Sequence, residues 1–444
     1  MGNDRMGEYD VVIVGASVAG CAAATFLGRQ GARIALVESH SDPRTFKRMC
    51  THLIQPSAVG TIERLGLLES MVKAGGQPSE TYTWTRYGWF TFSRKDAQAP
   101  ASEYCGWNIR RETLDPMIRE LAAGTEGVET MLGHTVTGLL RDGKRVSGVV
   151  ARERDGRVRE LRAKVVVGAD GRGSPIAKLA GVPTKVKKNE RFIYFAYYRD
   201  TPLVTGSNPQ MWMLDPDVAY AFPTDAGLTL MACMPHKERL SAFKEDPERE
   251  LIRMFEGLAD GPALDPGKRE SKVLGVLDVP NVSRRASSPG LGLIGDAAMA
   301  SDPLPGVGCG WGMQSAEWLA DEVGPVLADG RAAIDGALET YARRHRKSLS
   351  RHAILISRTS AGRKFDPFSK LLFRGAARDQ ELANSVMLVA GRWDFPRALL
   401  TPNALGHILR VNLSRSAQTV GLAAPQPFTQ VANRANVSTE LQAR

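Results

Sequence analysis

Three clusters of residues in this chain have the types and spacing to do chemistry. The first is the turn Gly15-Ala-Ser-Val-Ala-Gly20, with Glu38 roughly 20 residues beyond it. Gly15 permits a tight turn, and Gly20 lets a helix pack closely on the preceding strand. Ser17 stands where the middle glycine of GxGxxG usually sits, so the backbone approaches a diphosphate with a small side chain in the way. With Ala19 also small, the turn offers unpaired N–H groups and the positive end of a helix dipole to a pyrophosphate. The Glu38 carboxylate can accept hydrogen bonds from an adenosine ribose. The pattern points to dinucleotide binding, against the plainer alternative of an ordinary buried strand–helix–strand unit.

The second cluster is Asp170-Gly171, at the end of the apolar run Val165–Gly168 and shortly before Ser174. Alone, Asp-Gly is also a common turn. The third is Gly295-Asp296, at the end of Leu291–Ile294, followed by glycines at 306, 308, 310 and 312. An aspartate at a strand end is placed to bond a sugar hydroxyl. Gly308 and its neighbours let backbone and a helix N-terminus approach a flat ring.

Such residues need elements to hold them. Val11–Val14 and Ile34–Val37 read as buried strands around an alanine-rich helix. Residues 55–74 carry Val59, Ile62, Leu65 and Leu68 near helical spacing and predict a helix. Residues 80–93 alternate like a strand or hairpin. A helix is expected over Arg111–Ala123, and three strands over 126–167, with Asp142-Gly143 and Asp155-Gly156 in turns. From about 187 to 284 the aromatic segments RFIYFAYYR, MWMLDPDVAYAFP and GLTLMACMP predict an antiparallel sheet, interrupted by a polar helical stretch near 238–257. Tyr220 and Phe222 share one strand face and are candidate pocket residues. Residues 312–423 read as mostly helical, and the last twenty as loosely ordered. The fold class is α/β: a Rossmann-type nucleotide-binding domain with an inserted antiparallel-sheet substrate domain and a helical C-terminal region. The expected division is 1–75, 101–186 and 285–330 for the discontinuous nucleotide domain, 76–100 and 187–284 for the sheet domain, and 331–444 for the helical region.

Hydrophobic residues make up 43% and charged residues 24% of the chain, the balance of a soluble globular protein. No apolar stretch approaches the roughly 18 residues of a membrane span, and the N-terminus lacks the order of a signal peptide. The five cysteines are scattered and without CxxC or metal-ligand spacing, so free thiols in a reducing cytoplasm and no metal site are expected. The net charge of +10 is partly concentrated at 341–352. Such a field suits an anionic substrate, a membrane surface or nucleic acid, though no nucleic-acid signature accompanies it. The histidines form no HExxH pattern, and no GxSxG occurs.

In their order and spacing the three clusters resemble those of FAD-dependent monooxygenases of the aromatic-hydroxylase-like group, which grades into geranylgeranyl-reductase-like flavoproteins. The resemblance spans about residues 9–330. It implies that Gly15, Gly20 and Glu38 hold the adenosine diphosphate of FAD. It implies that Asp170-Gly171 spans FAD and NAD(P)H contacts, and that Asp296 holds the ribityl chain. Arg111, in RRETLD, matches an arginine that helps bind the pyrophosphate. The loop Arg48-Met-Cys-Thr-His52 usually passes close to the flavin in this fold, which makes Arg48 a candidate contact and His52 a residue of interest. Three positions depart from the pattern: Met299 replaces a histidine, Ala177 with Lys178 replaces an arginine, and Gly310 replaces an asparagine.

The resemblance implies that NAD(P)H visits transiently, that reduced FAD traps dioxygen as a flavin hydroperoxide, and that one oxygen atom passes to an aromatic, polyketide or terpenoid substrate by hydroxylation or epoxidation. Reduction of prenyl double bonds is the main alternative. Halogenation ranks lower, since Tyr87-Gly-Trp-Phe90 only superficially resembles the halogenase signature, and an escort protein without turnover ranks lower still. The expected partners are the small substrate and dioxygen, with no nucleic acid. No stable membrane insertion is expected, peripheral association stays open, and the oligomeric state is undetermined.

Overall fold

A computed structural model describes residues 8–93 and 105–414; expectations for the remaining positions, including the loosely ordered tail, lie outside the described residues. The strand Glu8–Val14 is the centre of the first sheet. It pairs in parallel with Ile34–Glu38 on one side and with Val158–Gly168 on the other. Leu291–Leu293 and Val128–Leu132 extend the parallel arrangement outwards. Val11, Val12 and Ile13 are wholly buried, as a parallel strand covered on both faces requires. Helix Val18–Gly28 covers one face and packs against helix Val307–Val323. Ala19 lies at this contact: Cβ atoms built at Gly295 and Gly312 would stand 3.0 and 3.4 Å from its methyl group.

Two local expectations change. Residues 55–74 form two short helices, Val59–Leu65 and Leu68–Lys73, because Gly66 adopts the left-handed conformation (φ +76°) that ends a helix. Residues 126–168 hold four strands. Val128–Leu132 joins the parallel sheet, while Thr135–Asp142 and Arg145–Arg152 form an antiparallel meander on the projecting half of Val158–Gly168.

The second sheet has seven strands in the order Leu274–Val276, Ile193–Arg199, Leu228–Met234, Val218–Pro223, Gln210–Met213, Tyr82–Thr85 and Gly88–Phe90. Its period-2 alternation sorts the aromatic residues onto two faces. Tyr194, Tyr198 and Trp212 pack with Phe243, Leu251 and Phe255 of the helices Leu240–Glu245 and Pro247–Phe255. Those helices divide the expected polar stretch where Pro247 begins a new helix, capped by Asp246. Phe195, Tyr220 and Phe222 face the opposite way, where Tyr197, Met211, Met213, Met49, Leu53 and Leu304 pack against them. The last three come from the loops of the first sheet, so this face covers them.

Helix Arg331–Thr359 buries Ile334, Leu338 and Tyr341 in the core of the first sheet. We therefore propose that the helical region proper begins near residue 360, later than the expected 331. Helices Pro367–Ala376, Gln380–Ala390 and Pro402–Leu413 pack together with Phe90 and Phe92. A buried network joins the three parts. Asp302 accepts from Asn189 Nδ2 (2.7 Å) and Arg191 Nη2 (3.2 Å), while its N–H donates to Asn281 Oδ1 (2.9 Å). Asn281 Nδ2 in turn donates to Ser360 Oγ (2.9 Å). Among the described residues, no helix is long and apolar enough to cross a membrane.

Candidate active site

The glycine turn has little freedom to be anything else. Gly15 takes φ +105° and its N–H donates to Val37 O (2.8 Å). A Cβ on Gly20 would stand 1.8 Å from Gly15 O, so helix and turn meet only because Gly20 has none. Ser17 begins the helix without capping it, leaving its first N–H groups without help from that side chain. Glu38 closes the unit. Its Oε2 accepts Ala16 N–H (2.9 Å), while Oε1 accepts from His40 N (2.9 Å) and Ser39 Oγ (3.0 Å) and pairs with His40 Nδ1 (2.8 Å). Burial pushes the Glu38 carboxyl up, but the donors from His40, Ala16 and Ser39 outweigh it and hold it below its ordinary 4.5.

Helix Arg111–Ala123 supplies the positive charge. Arg111 is buried, forks onto Asp115 (2.6 and 2.9 Å), and donates to Ser17 Oγ (2.7 Å). Arg119, two turns on, places Nε on Ala16 O (3.1 Å) and Nη1 on Pro43 O. Arg119 was not anticipated. Charged side chains at 111, 115 and 119, spaced four apart on one helical face, were the available signal.

At the third cluster, Asp296 Oδ2 accepts Lys47 Nζ (3.0 Å). Burial raises this carboxyl, yet Lys47 and Arg172 keep it below its ordinary 3.8. Lys47, whose N–H also reaches Asp115 Oδ2 (2.9 Å), makes this contact next to Arg48; both residues are exposed. Asp170 stands just beyond strand Val158–Gly168. Its oxygens accept Ser174 Oγ (2.7 Å) and Ile176 N–H (2.8 Å), so both shape its own turn and the helix Pro175–Leu179. Gly308 has open space where a Cβ would point, at the beginning of helix Val307–Val323.

Against the start of helix Arg111–Ala123 lies a dyad. His52, buried and at φ +66°, accepts Arg111 N–H at Nδ1 (3.2 Å). A backbone N–H can only donate, so Nδ1 carries no proton and Nε2–H donates to the Tyr197 hydroxyl. The two rings stack with centroids 5.7 Å apart. Burial pushes the Tyr197 phenol up, so it stays protonated, and its own O–H is left to donate outwards. Beside the dyad, the Cys50 thiol is held well below its ordinary value by Cys309, His52 and Arg111 against the effect of burial, and Cys309 is pushed up correspondingly.

A family model described as "FAD binding domain" matches residues 8–353. The 6-methylpretetramide 4-monooxygenase of Streptomyces rimosus is 29% identical over 364 residues, 77% of this chain and 81% of that protein. A digeranylgeranylglycerophospholipid reductase of Picrophilus torridus is 24% identical over 71% of this chain and 77% of its own length. The solved structure of the flavin-dependent brominase Bmp2 superposes with a TM-score of 0.72 at 18% identity, covering 91% of this chain and 98% of that one, a likeness of fold. The cradle fits the FAD named by the family model: the missing side chains at Gly15 and Gly20 let turn, helix and neighbouring strand meet, and Ser17 does not cap the first N–H groups of the helix, which a pyrophosphate could accept from. The chain belongs to the FAD binding domain family, as an FAD-dependent oxidoreductase of the aromatic-hydroxylase-like monooxygenase group.

Proposed function

We propose that the protein uses NAD(P)H to insert one oxygen atom into a small aromatic, polyketide or terpenoid substrate, by hydroxylation or epoxidation. The observation that carries this reading is the covering sheet face: aromatic and methionine side chains closed over the nucleotide-domain loops, with the His52–Tyr197 dyad among them. Bound FAD would supply the redox chemistry that activates dioxygen. Gly15, Ser17, Gly20, Arg111, Asp296 and Gly308 would hold and orient it, Ala19, Glu38 and Asp170 would shape the turns around it, and Lys47 would act next to Arg48. The apolar face would exclude water from the reacting atoms. Tyr197 would donate its hydrogen bond to a substrate oxygen, with His52 positioning it.

The test is oxygen consumption with NAD(P)H over a panel of phenolic, polyketide and terpenoid compounds. Support is substrate-stimulated consumption with little hydrogen peroxide release and a product carrying one oxygen from labelled dioxygen. A product formed without oxygen, gaining two hydrogens, would overturn it. That second outcome is the prenyl-reductase reading. One observation favours it: helix Pro402–Leu413 turns Leu405, Leu409 and Leu413 outwards, 38, 54 and 81% exposed, as a surface meeting lipid would.

A further inference from the structure

Arg392 is a half-buried cation with no carboxylate partner among the described residues. It follows helix Gln380–Ala390 in the left-handed conformation (φ +62°), with its guanidinium carbon 5.3 Å from the centroid of the Trp311 ring. Nη2 donates to Gln314 Oε1 (3.1 Å). Among the described residues, the Arg392 atoms Nε and Nη1 are buried with no hydrogen-bond partner, and so is Trp311 Nε1, on a side chain only 1% exposed. His352 brings no negative charge. Burial and the nearby guanidinium hold its imidazole down to about 4, and its Nε2 donates to Asp394 O (3.1 Å). Burial brings the Arg392 guanidinium down to about 9, so it is still charged at neutral pH, and buried donors are costly unless they are paired. Three donors without acceptors around one positive charge describe a receptor for an anion.

We propose that Arg392 and Trp311 form a binding site for a monovalent anionic group, and that in catalysis this group is a carboxylate or enolate of the substrate. The walls place it beside the cofactor loops. Gln314 donates to Ser57 O (2.6 Å), and Gln55 bridges Pro305 O (2.7 Å) and Ala390 O (2.8 Å). These segments lead directly into Gly308, where a Cβ would meet open space. The net charge of +10 would draw such a substrate in.

Only the identity of the anion rests on the monooxygenase reading. The experiment involves no turnover, so a failed oxygen-consumption assay and a failed binding assay are separate results. Sodium benzoate, sodium bromide and neutral benzamide are titrated calorimetrically into oxidised, FAD-loaded enzyme. Benzoate is expected to bind and benzamide not. Arg392→Gln should weaken benzoate at least tenfold with FAD content unchanged. Trp311→Phe keeps an aromatic ring at this position but removes the N–H, and should weaken benzoate about fivefold. Displacement of benzoate by bromide would make free halide a second source of the anion; no displacement leaves the organic acid alone. Equal benzoate affinity in wild type and Arg392→Gln, no benzoate binding at all, or equally tight benzamide binding would overturn the site. If Arg392→Gln does not retain FAD, Trp311→Phe decides, and unchanged benzoate affinity there overturns the proposal.

Discussion

In the proposed reaction the His52 Nε2–H bond to the Tyr197 hydroxyl would make Tyr197 a donor rather than a base. Tyr197→Phe is expected to lower kcat roughly 100-fold. KM should change little, and more hydrogen peroxide should be released per NAD(P)H consumed, a readout that a merely structural tyrosine would not move. At Asp296, loss of a charge-assisted hydrogen bond costs about 1.5–3 kcal/mol, so Asp296→Ala should lose most of its FAD on gel filtration. The same group makes the fold acid-sensitive. Its folded carboxyl lies below the ordinary 3.8, and that of Glu38 below 4.5. Their stabilisation is complete above those ordinary values and is lost as pH falls through the depressed folded ones. Melting curves of wild type and Asp296→Asn should therefore differ at pH 7 and converge in strong acid. Gly15, Gly20 and Asp296 were legible because each belongs to a short local pattern. Lys47, Arg119 and Tyr197 were not, because their partners come from distant parts of the chain.

Elements follow the same division. Helix Arg111–Ala123 and the aromatic strands were readable from periodicity, since each presents one face to a single core. The break at Gly66 was not, because Val59, Ile62, Leu65 and Leu68 keep near-helical spacing across it. At Asp170 the motif locates the turn, while the bonds its oxygens accept from Ser174 Oγ and Ile176 N–H appear only in the folded loop. The strongest element-level constraint is the contact between the first helix and the glycine turn. Overpacking usually costs about 1–3 kcal/mol. In Gly20→Ala the atom met is backbone at 1.8 Å, so the loss should lie at or above that range, with FAD binding abolished. Chemical denaturation and the flavin absorbance of the purified variant measure both.

For the whole molecule, the outer surface of the helical region separates the two functional readings. The inner face packs against Phe90 and Phe92, while Leu405, Leu409 and Leu413 are turned outwards. Under the monooxygenase reading the protein should stay unbound by anionic vesicles at about 0.15 M salt, where screening limits weak surface attraction. Strong co-sedimentation would favour the lipid-substrate reading. Breaking a buried ion pair by removing one partner costs about 3–5 kcal/mol. Asp302→Ala, which strips Arg191 and Asn189 of their shared acceptor, should therefore lower the melting temperature sharply. The covering sheet has one further property. Its strand Gln210–Met213 pairs in parallel with Tyr82–Thr85, placing Trp84 opposite Trp212. A ribosome adding about 5–20 residues per second needs roughly ten seconds to travel between those two tryptophans. During that interval the Tyr82–Phe90 hairpin has emerged without the strand it will pair with. The nascent chain therefore carries an exposed aromatic edge, so its yield in a cell should depend on how quickly translation proceeds from residue 90 to 213, even for synonymous messages encoding an identical protein.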